Sequence, residues 1–507
     1  MTEDNDEGSS ILALQGSITF VGNILSRLLG FLFLAVATRL VTESTLGAFY
    51  LALSVTLFVQ GLSNLSLHRA VDYFLPKYLK DGAFEKATAT VQTIIIMSLG
   101  SGIVFALLLT GMSGFLGAIF DEPRLGNVLP VLALALPLIG LEQVLVGVFN
   151  SAKILKYRVY TRSLATPLSR LILIVPLLIL GYEAAGLAGA YLLSFLIAAC
   201  VGAYFFWTKF DWIRDTSRES VSVYSLLRYS LPLTFAGIIY TTVWQLDYFV
   251  IGYFLPTAKV GIYRVATQLT SNLVVVSAAL TPVYKPMIAE VKRDSPLVGQ
   301  RYKLATRWIT MFTLPLIIVL AIAPKTYLSL LFTPEYAVAG TTVLVLCLGY
   351  LSNALGGPEG AMLEGLGHTR LSFINSIILI IVNFTLDVLL VPRYGILGAA
   401  IGTSIALTVR ITFGVGEIWY LYRVHPFGRP LVRVFAASVP VVVLGYTLLT
   451  LIESQLVLAV VLPAVVGIGY VSILPVVGAF TEADEQFARR IDDRLGHEFV
   501  TRLVVSG

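Results

Sequence analysis

Charge is what this sequence has least of. Asp, Glu, Lys and Arg together make up 13% of the 507 residues, against roughly 25% in a soluble globular chain. Cysteine is nearly absent: Cys200 and Cys347 both fall inside apolar runs, which excludes a disulfide framework. The four histidines join no cluster with metal-ligand spacing, and there is no P-loop or nucleotide-sugar motif. An ATP-driven carrier is therefore not indicated. The opening MTEDNDEGSS is acidic, whereas a secretory signal needs a basic start and a short apolar core, so the first apolar run is expected to be retained.

What the chain has instead is apolar length. Hydrophobic residues make up 57% and mean hydropathy is +0.85. A bilayer-crossing helix needs about 20 mostly apolar residues, and on that criterion fourteen runs qualify. The chain is expected to be all-α and polytopic. A short acidic tail (1–10) leads into a six-helix bundle (11–207), in which the second span is 46–74. A charged linker (208–228), a second six-helix bundle (229–423), an added helix pair (431–479) and a polar tail (480–507) follow. The tail from Thr481 reads either as a surface amphipathic helix or as a solvated end.

Basic residues concentrate in alternate loops, such as Lys77, Lys80 and Lys86, then Lys153, Lys156, Arg158 and Arg162. Positively charged loops stay cytoplasmic, which places both termini on the cytoplasmic side of a plasma membrane. The net charge of +5 is thus topological and not a nucleic-acid footprint.

The chain also repeats itself. Thr19-Phe20-Val21-Gly22 returns as Thr234-Phe235-Ala236-Gly237, and Leu46-Gly47-Ala48-Phe49-Tyr50 as Val260-Gly261-Ile262-Tyr263-Arg264. Gly186-Leu187-Ala188-Gly189-Ala190 returns as Gly395-Ile396-Leu397-Gly398-Ala399. Six spans separate the copies, so both halves keep one orientation, with a pseudo-two-fold axis along the membrane normal, as in one class of transporter repeat. The small residues suit close helix approach.

Charges within spans are costly, about 2.5–3.5 kcal/mol each on insertion scales, and each needs a reason. Arg27 stands midway along the first span with no acid within a helical turn. It must face water, a partner helix or an anionic ligand. Arg170 and Arg410 either line a cavity or pair with acids on neighbouring helices. Asp247 and Arg264 sit at similar depth on consecutive spans, so they can form a structural pair or a cavity pair that an anion opens. Asn23 and Gln268 add neutral polarity. Tyr240, Trp244, Tyr248 and Tyr263 either stack on sugar rings or anchor helices at the interface. Asp247, Glu142 and Glu364 are candidates for Na⁺ or H⁺ coupling, though their spacing makes no recognisable ion site. No other cofactor and no metal is expected.

Ser26-Arg27-Leu28-Leu29-Gly30-Phe31, followed by Arg39 and the Gly47-centred start of the next span, resembles the polysaccharide flippases of the multidrug/oligosaccharidyl-lipid/polysaccharide exporter superfamily. The Wzx-type and lipid II flippases (MurJ) are the nearest kinds. Glu364 to Arg370 looks like that family's small-residue connector. The resemblance implies two six-helix bundles plus an added pair, and movement of a lipid-linked saccharide to the outer leaflet by alternating access. It also implies phosphate-binding cavity roles for Arg27 and Arg264, with glycan-assembly enzymes as further partners. Lipid II flippases carry an arginine and an aspartate where this chain has Phe33 and Leu34, which speaks against a peptidoglycan precursor. Two other readings stay open. One is an ion-coupled multidrug or metabolite antiporter of the same superfamily, which would favour acidic sites. The other is a membrane glycosyltransferase or polymerase, which would want a sizeable catalytic domain or paired loop carboxylates.

Overall fold

A computed structural model describes residues 3–214, 221–291, 294–481 and 484, with the side chains of 3–16, 213, 214 and 240 outside the description. Among the described residues every regular element is helical. That is the expected outcome for apolar segments in lipid, where a spanning backbone must satisfy its own hydrogen bonds. Thirteen spans among the described residues have the length and composition to cross a bilayer. Val223–Phe254, of 32 residues, is apolar over Val223–Ile239, and with it the number reaches the fourteen expected. The chain is a multi-pass membrane protein.

Contacts divide the chain into two compact units, Met1–Ile262 and Tyr263–Gly507. In the first unit, polar caps mark where helices begin: Thr42 accepts from the Thr45 amide at 3.2 Å, and Ser222 from the Ser225 amide at 3.4 Å. Such caps satisfy one of the orphan amides of the first turn. The second span departs from the expected 46–74. Helix Glu43–Ser63 ends at Asn64, and Leu67–Lys80 starts afresh after it. Leu65 and Ser66 between them have φ of 46° and 47°, a left-handed conformation that is unfavourable without glycine. The fourth span is similarly two pieces, Leu125–Ala133 and Ala135–Ser151. The fifth passes through a π-helical stretch, Val159–Ala165.

The repeat glycines mark where helices approach closely. A Cβ on Gly47 would stand 1.7 Å from the Thr257 carbonyl oxygen, and one on Gly261 would stand 2.4 Å from that of Glu43. The contact is reciprocal: each copy's glycine lies against the other copy's helix start, with backbone as the neighbour. Any side chain at either position would have to move a helix. Gly186 likewise approaches the Leu177 carbonyl of the preceding span, 3.3 Å from a built Cβ. Farther along the first unit, Leu67, Val71, Leu75, Val91, Ile94, Phe149, Tyr157 and Phe210 form an apolar core beside the basic loops.

In the second unit, Asp294 caps Ser295–Ile322 by accepting from the Leu297 amide at 3.0 Å. Gly398 repeats the Gly186 arrangement, its built Cβ 2.4 Å from the Leu390 carbonyl of the helix before it. Tyr284, Ile288, Tyr302, Met362 and Ile418 make a second core, and Tyr302 donates its hydroxyl to the Gly356 carbonyl at 2.8 Å. The added pair, Arg429–Leu451 and Gln455–Val476, packs on Ser295–Ile322. Of the tail, Thr481 and Asp484 are described and fold back onto that helix, and the remainder lies outside the described residues.

Candidate functional site

In the first unit, Asn23 and Arg27 are four residues apart on helix Glu3–Leu40 and so share a face. Both are exposed. The Arg27 guanidinium has no ion pair or hydrogen bond among the described residues. It stands in a 24-residue span of mean hydropathy 1.9. That combination leaves water or an anionic ligand as its partner.

Arg170 is different. Its guanidinium lies 3.9 Å from the Tyr191 ring centroid, 5.6 Å from Phe195 and 5.9 Å from Phe33, and it donates to the Ser194 hydroxyl at 3.3 Å. Aromatic faces and a hydroxyl hold it, and no acid pairs with it among the described residues. Trp244 is half-exposed, Tyr248 is buried and Asp247 is partly buried. The Tyr240 side chain lies outside the description.

Beside the reciprocal glycine contact sits a charged latch that sequence reading passed over. Glu122, 5% exposed, takes two hydrogen bonds from the Arg124 guanidinium, at 2.7 and 2.8 Å, one from the Arg124 amide at 3.2 Å and one from the Thr257 hydroxyl at 2.6 Å. Arg124 also donates to the Ser44 hydroxyl at 2.6 Å. The short Glu122-Pro123-Arg124 turn between two spans was the available signal. Burial alone would raise the Glu122 carboxyl, but the donors from Arg124 and Thr257 outweigh it and hold it below its ordinary value, while Glu122 raises Arg124. A depressed carboxyl stabilises the fold above its unfolded value and stops doing so as pH falls through the folded one. Thermal stability should therefore fall as pH drops below 4.5, and Glu122→Gln should flatten that decline. An unchanged pH profile in Glu122→Gln would show the latch carries no such linkage.

In the second unit, Arg264 donates to the Gln268 side chain at 2.6 Å, one helical turn on. Tyr263 is fully buried, its hydroxyl 3.4 Å from Thr403 Oγ1. Asn383 donates to Asp387 at 3.2 Å and reaches Thr403 Oγ1 at 3.5 Å. Arg410 is ion-paired with Glu359 at 3.0 Å, and Glu417 accepts from Asn375 at 2.7 Å. Thus Arg264 and Gln268 come together, Arg410 serves a helix-to-helix pair, and Asp387, Asn383 and Thr403 form a polar group that sequence reading had not assembled. Among the described residues no cluster of His, Cys, Asp and Glu could hold a metal ion.

Residues 36–340 match the model of a family described as polysaccharide biosynthesis protein. The chain belongs to that family. Among curated proteins, the probable flippase AglR of Haloferax volcanii is 26% identical over 39% of this chain and 42% of its own length. The probable low-salt glycan biosynthesis flippase Agl15 of the same organism is 21% identical over 77% of this chain and 80% of its own. The chain therefore spans less than half of the first relative and four-fifths of the second. Among solved structures, the lipid II flippase MurJ in an inward closed conformation aligns with a TM-score of 0.70 at 13% identity. That alignment covers 94% of this chain and 99% of MurJ. An inward-facing multidrug resistance transporter of the MATE family aligns at 0.64 with 16% identity, over 80% and 94%. The fold is that shared by these transporters.

Proposed function

We propose that the protein is a flippase for a lipid-linked oligosaccharide, carrying a polyprenyl or dolichyl phosphate or pyrophosphate saccharide from the cytoplasmic to the outer leaflet by alternating access. The carrying observation is Arg27: an exposed guanidinium, without a protein partner among the described residues, in the middle of an apolar span. A phosphate taken into hydrocarbon is prohibitively costly, and so are sugar hydroxyls without partners. A guanidinium removes the first penalty by binding phosphate through two parallel hydrogen bonds. Arg264, held by Gln268, supplies the second such group. The names of AglR and Agl15 support the same cargo class.

The alternation of basic loops supports a plasma-membrane protein with both termini in the cytoplasm, and glycan-assembly enzymes would supply and consume the cargo. The protein acts by binding and moving its cargo and makes or breaks no bond. For ion coupling, Glu364 is paired with Lys285 at 2.8 Å and Glu142 lies beside Arg162. Asp387 is a further buried carboxylate, accepting from the Asn383 amide at 3.2 Å, and buried intramembrane carboxylates are candidates for Na⁺ or proton coupling. Transport of a cationic drug would call for acids released from basic partners, and Glu359 and Glu364 are both paired.

Loss of the protein should make a lipid-linked glycan accumulate on the cytoplasmic face. This is measured by leaflet-selective labelling of extracted lipids from depleted cells. Unaltered glycan distribution would remove the proposal.

A further inference from the structure

We infer that the first unit holds a second ligand site, built from Arg158, Arg162, Glu142 and Asn64, that takes a glycosyl phosphate. The inference rests on the flippase reading and names which part of the cargo this site grips. The fifth span begins as Leu155–Arg158 and widens into the π-helical turn Val159–Ala165. Such turns are rare and recur at functional sites. Gly22 of the first span lets Val159 and Ser163 pack close, a built Cβ lying 2.6 and 3.4 Å from their side chains. Arg162 stays 53% exposed.

Two buried acceptors lie beneath it without donors. Glu142 is 2% exposed, and its Oε1 accepts no hydrogen bond among the described residues. Arg162 Nε is 3.9 Å away, beyond hydrogen-bond reach. Asn64, 8% exposed, gives its amide to Gln143, the residue after Glu142, and to His68 at 3.2 Å. Its Oδ1 is buried and likewise lacks a donor. Asn64 also opens the left-handed Leu65–Ser66 break. Backbone strain of this kind is concentrated at ligand clamps.

Around these acceptors the positive charge is in excess. Arg69 and Arg162 both bear on His68, and Arg158 feels Arg162 as well as Asp72 and Glu142. The site thus wants negative charge at its mouth and hydrogen-bond donors at its floor. A phosphate dianion brings the charge but has no donors for Glu142. A neutral sugar has the donors and leaves the excess positive charge of Arg69, Arg158 and Arg162 over Asp72 and Glu142 in place. A phosphate bearing a sugar brings both, its oxygens facing Arg158 and Arg162 and its hydroxyls donating to Glu142 and Asn64.

The test measures affinity of the purified full chain for three probes: polyprenol, polyprenyl phosphate and glucosyl polyprenyl phosphate. Wild type should bind the glucosyl phosphate about tenfold more tightly than the bare phosphate. Glu142→Met, which removes both acceptor oxygens at similar volume, should lose that sugar preference yet keep phosphate binding. Arg162→Gln, altered at an exposed position, should weaken both phosphates about tenfold. A sugar preference retained in Glu142→Met, or absent from wild type that still binds phosphate, overturns this site and leaves the flippase reading standing. No preference of wild type for either phosphate over polyprenol overturns both.

Discussion

Arg27→Ala is expected to reach the membrane at normal levels and to lose glycan export at least tenfold. The two halves of that result have separate causes. Removing a charge from mid-span lowers the insertion cost by about 2.5–3.5 kcal/mol, and Arg27 has no partner among the described residues to strand. Folding therefore has nothing to lose. Binding does: a hydrogen bond to a charged group contributes about 1.5–3 kcal/mol, or tenfold and more in affinity. Arg27→Lys should fall between, because a lysine keeps the charge and forfeits the paired donors. Export assayed against membrane abundance checks this, and full export in Arg27→Ala would remove its phosphate role.

The largest stability effect is expected at Arg307. Its guanidinium is 4% exposed and its partner carboxylate on Asp484 is 2% exposed, with Nη2 at 2.7 and 2.6 Å from the two oxygens. The carboxylate also accepts from the Trp308 indole at 2.7 Å and from the Thr481 amide and hydroxyl at 2.7 and 2.8 Å. Arg307 Nη1 donates to the Ala479 carbonyl at 3.0 Å. Breaking a buried pair of this kind costs about 3–5 kcal/mol because one charge is left without compensation. Arg307→Ala and Asp484→Ala should each lower the thermal midpoint sharply in detergent. Arg307→Met with Asp484→Leu should recover much of the loss. A single variant as stable as wild type would show that the tail residues do not hold the helix Ser295–Ile322.

Some of this was legible in the amino-acid order and some was not. Spans could be read because lipid permits helices alone, and the repeat could be read because Gly47 and Gly261 stand in matching contexts. Their mutual contact could not, since it pairs helix starts some 200 residues apart. The break at Asn64–Ser66 was hidden because Leu62, Leu65 and Leu67 carry the apolar pattern across it, and no glycine or proline marks the left-handed turn. Arg27 stood out because its neighbourhood in sequence is empty of acids, and the structure leaves it exposed. Arg170 and Arg410 read much as Arg27 does, but their partners Tyr191 and Glu359 come from other helices, as Asp484 of the tail does for Arg307. Local order carries no sign of them. Arg158 and Arg162 were read as loop charge because they open a span. Only their proximity to Glu142, which comes from another helix, sets them apart.

The most direct measurement uses the purified full chain in vesicles loaded with a fluorescent polyprenyl-diphosphate oligosaccharide, following leaflet exchange by quenching from one side. Wild type should move the lipid-linked glycan across while Arg27→Ala vesicles, with equal protein, stay near the protein-free rate. Equal exchange in both, or none in wild type with an imposed ion gradient, would contradict the account.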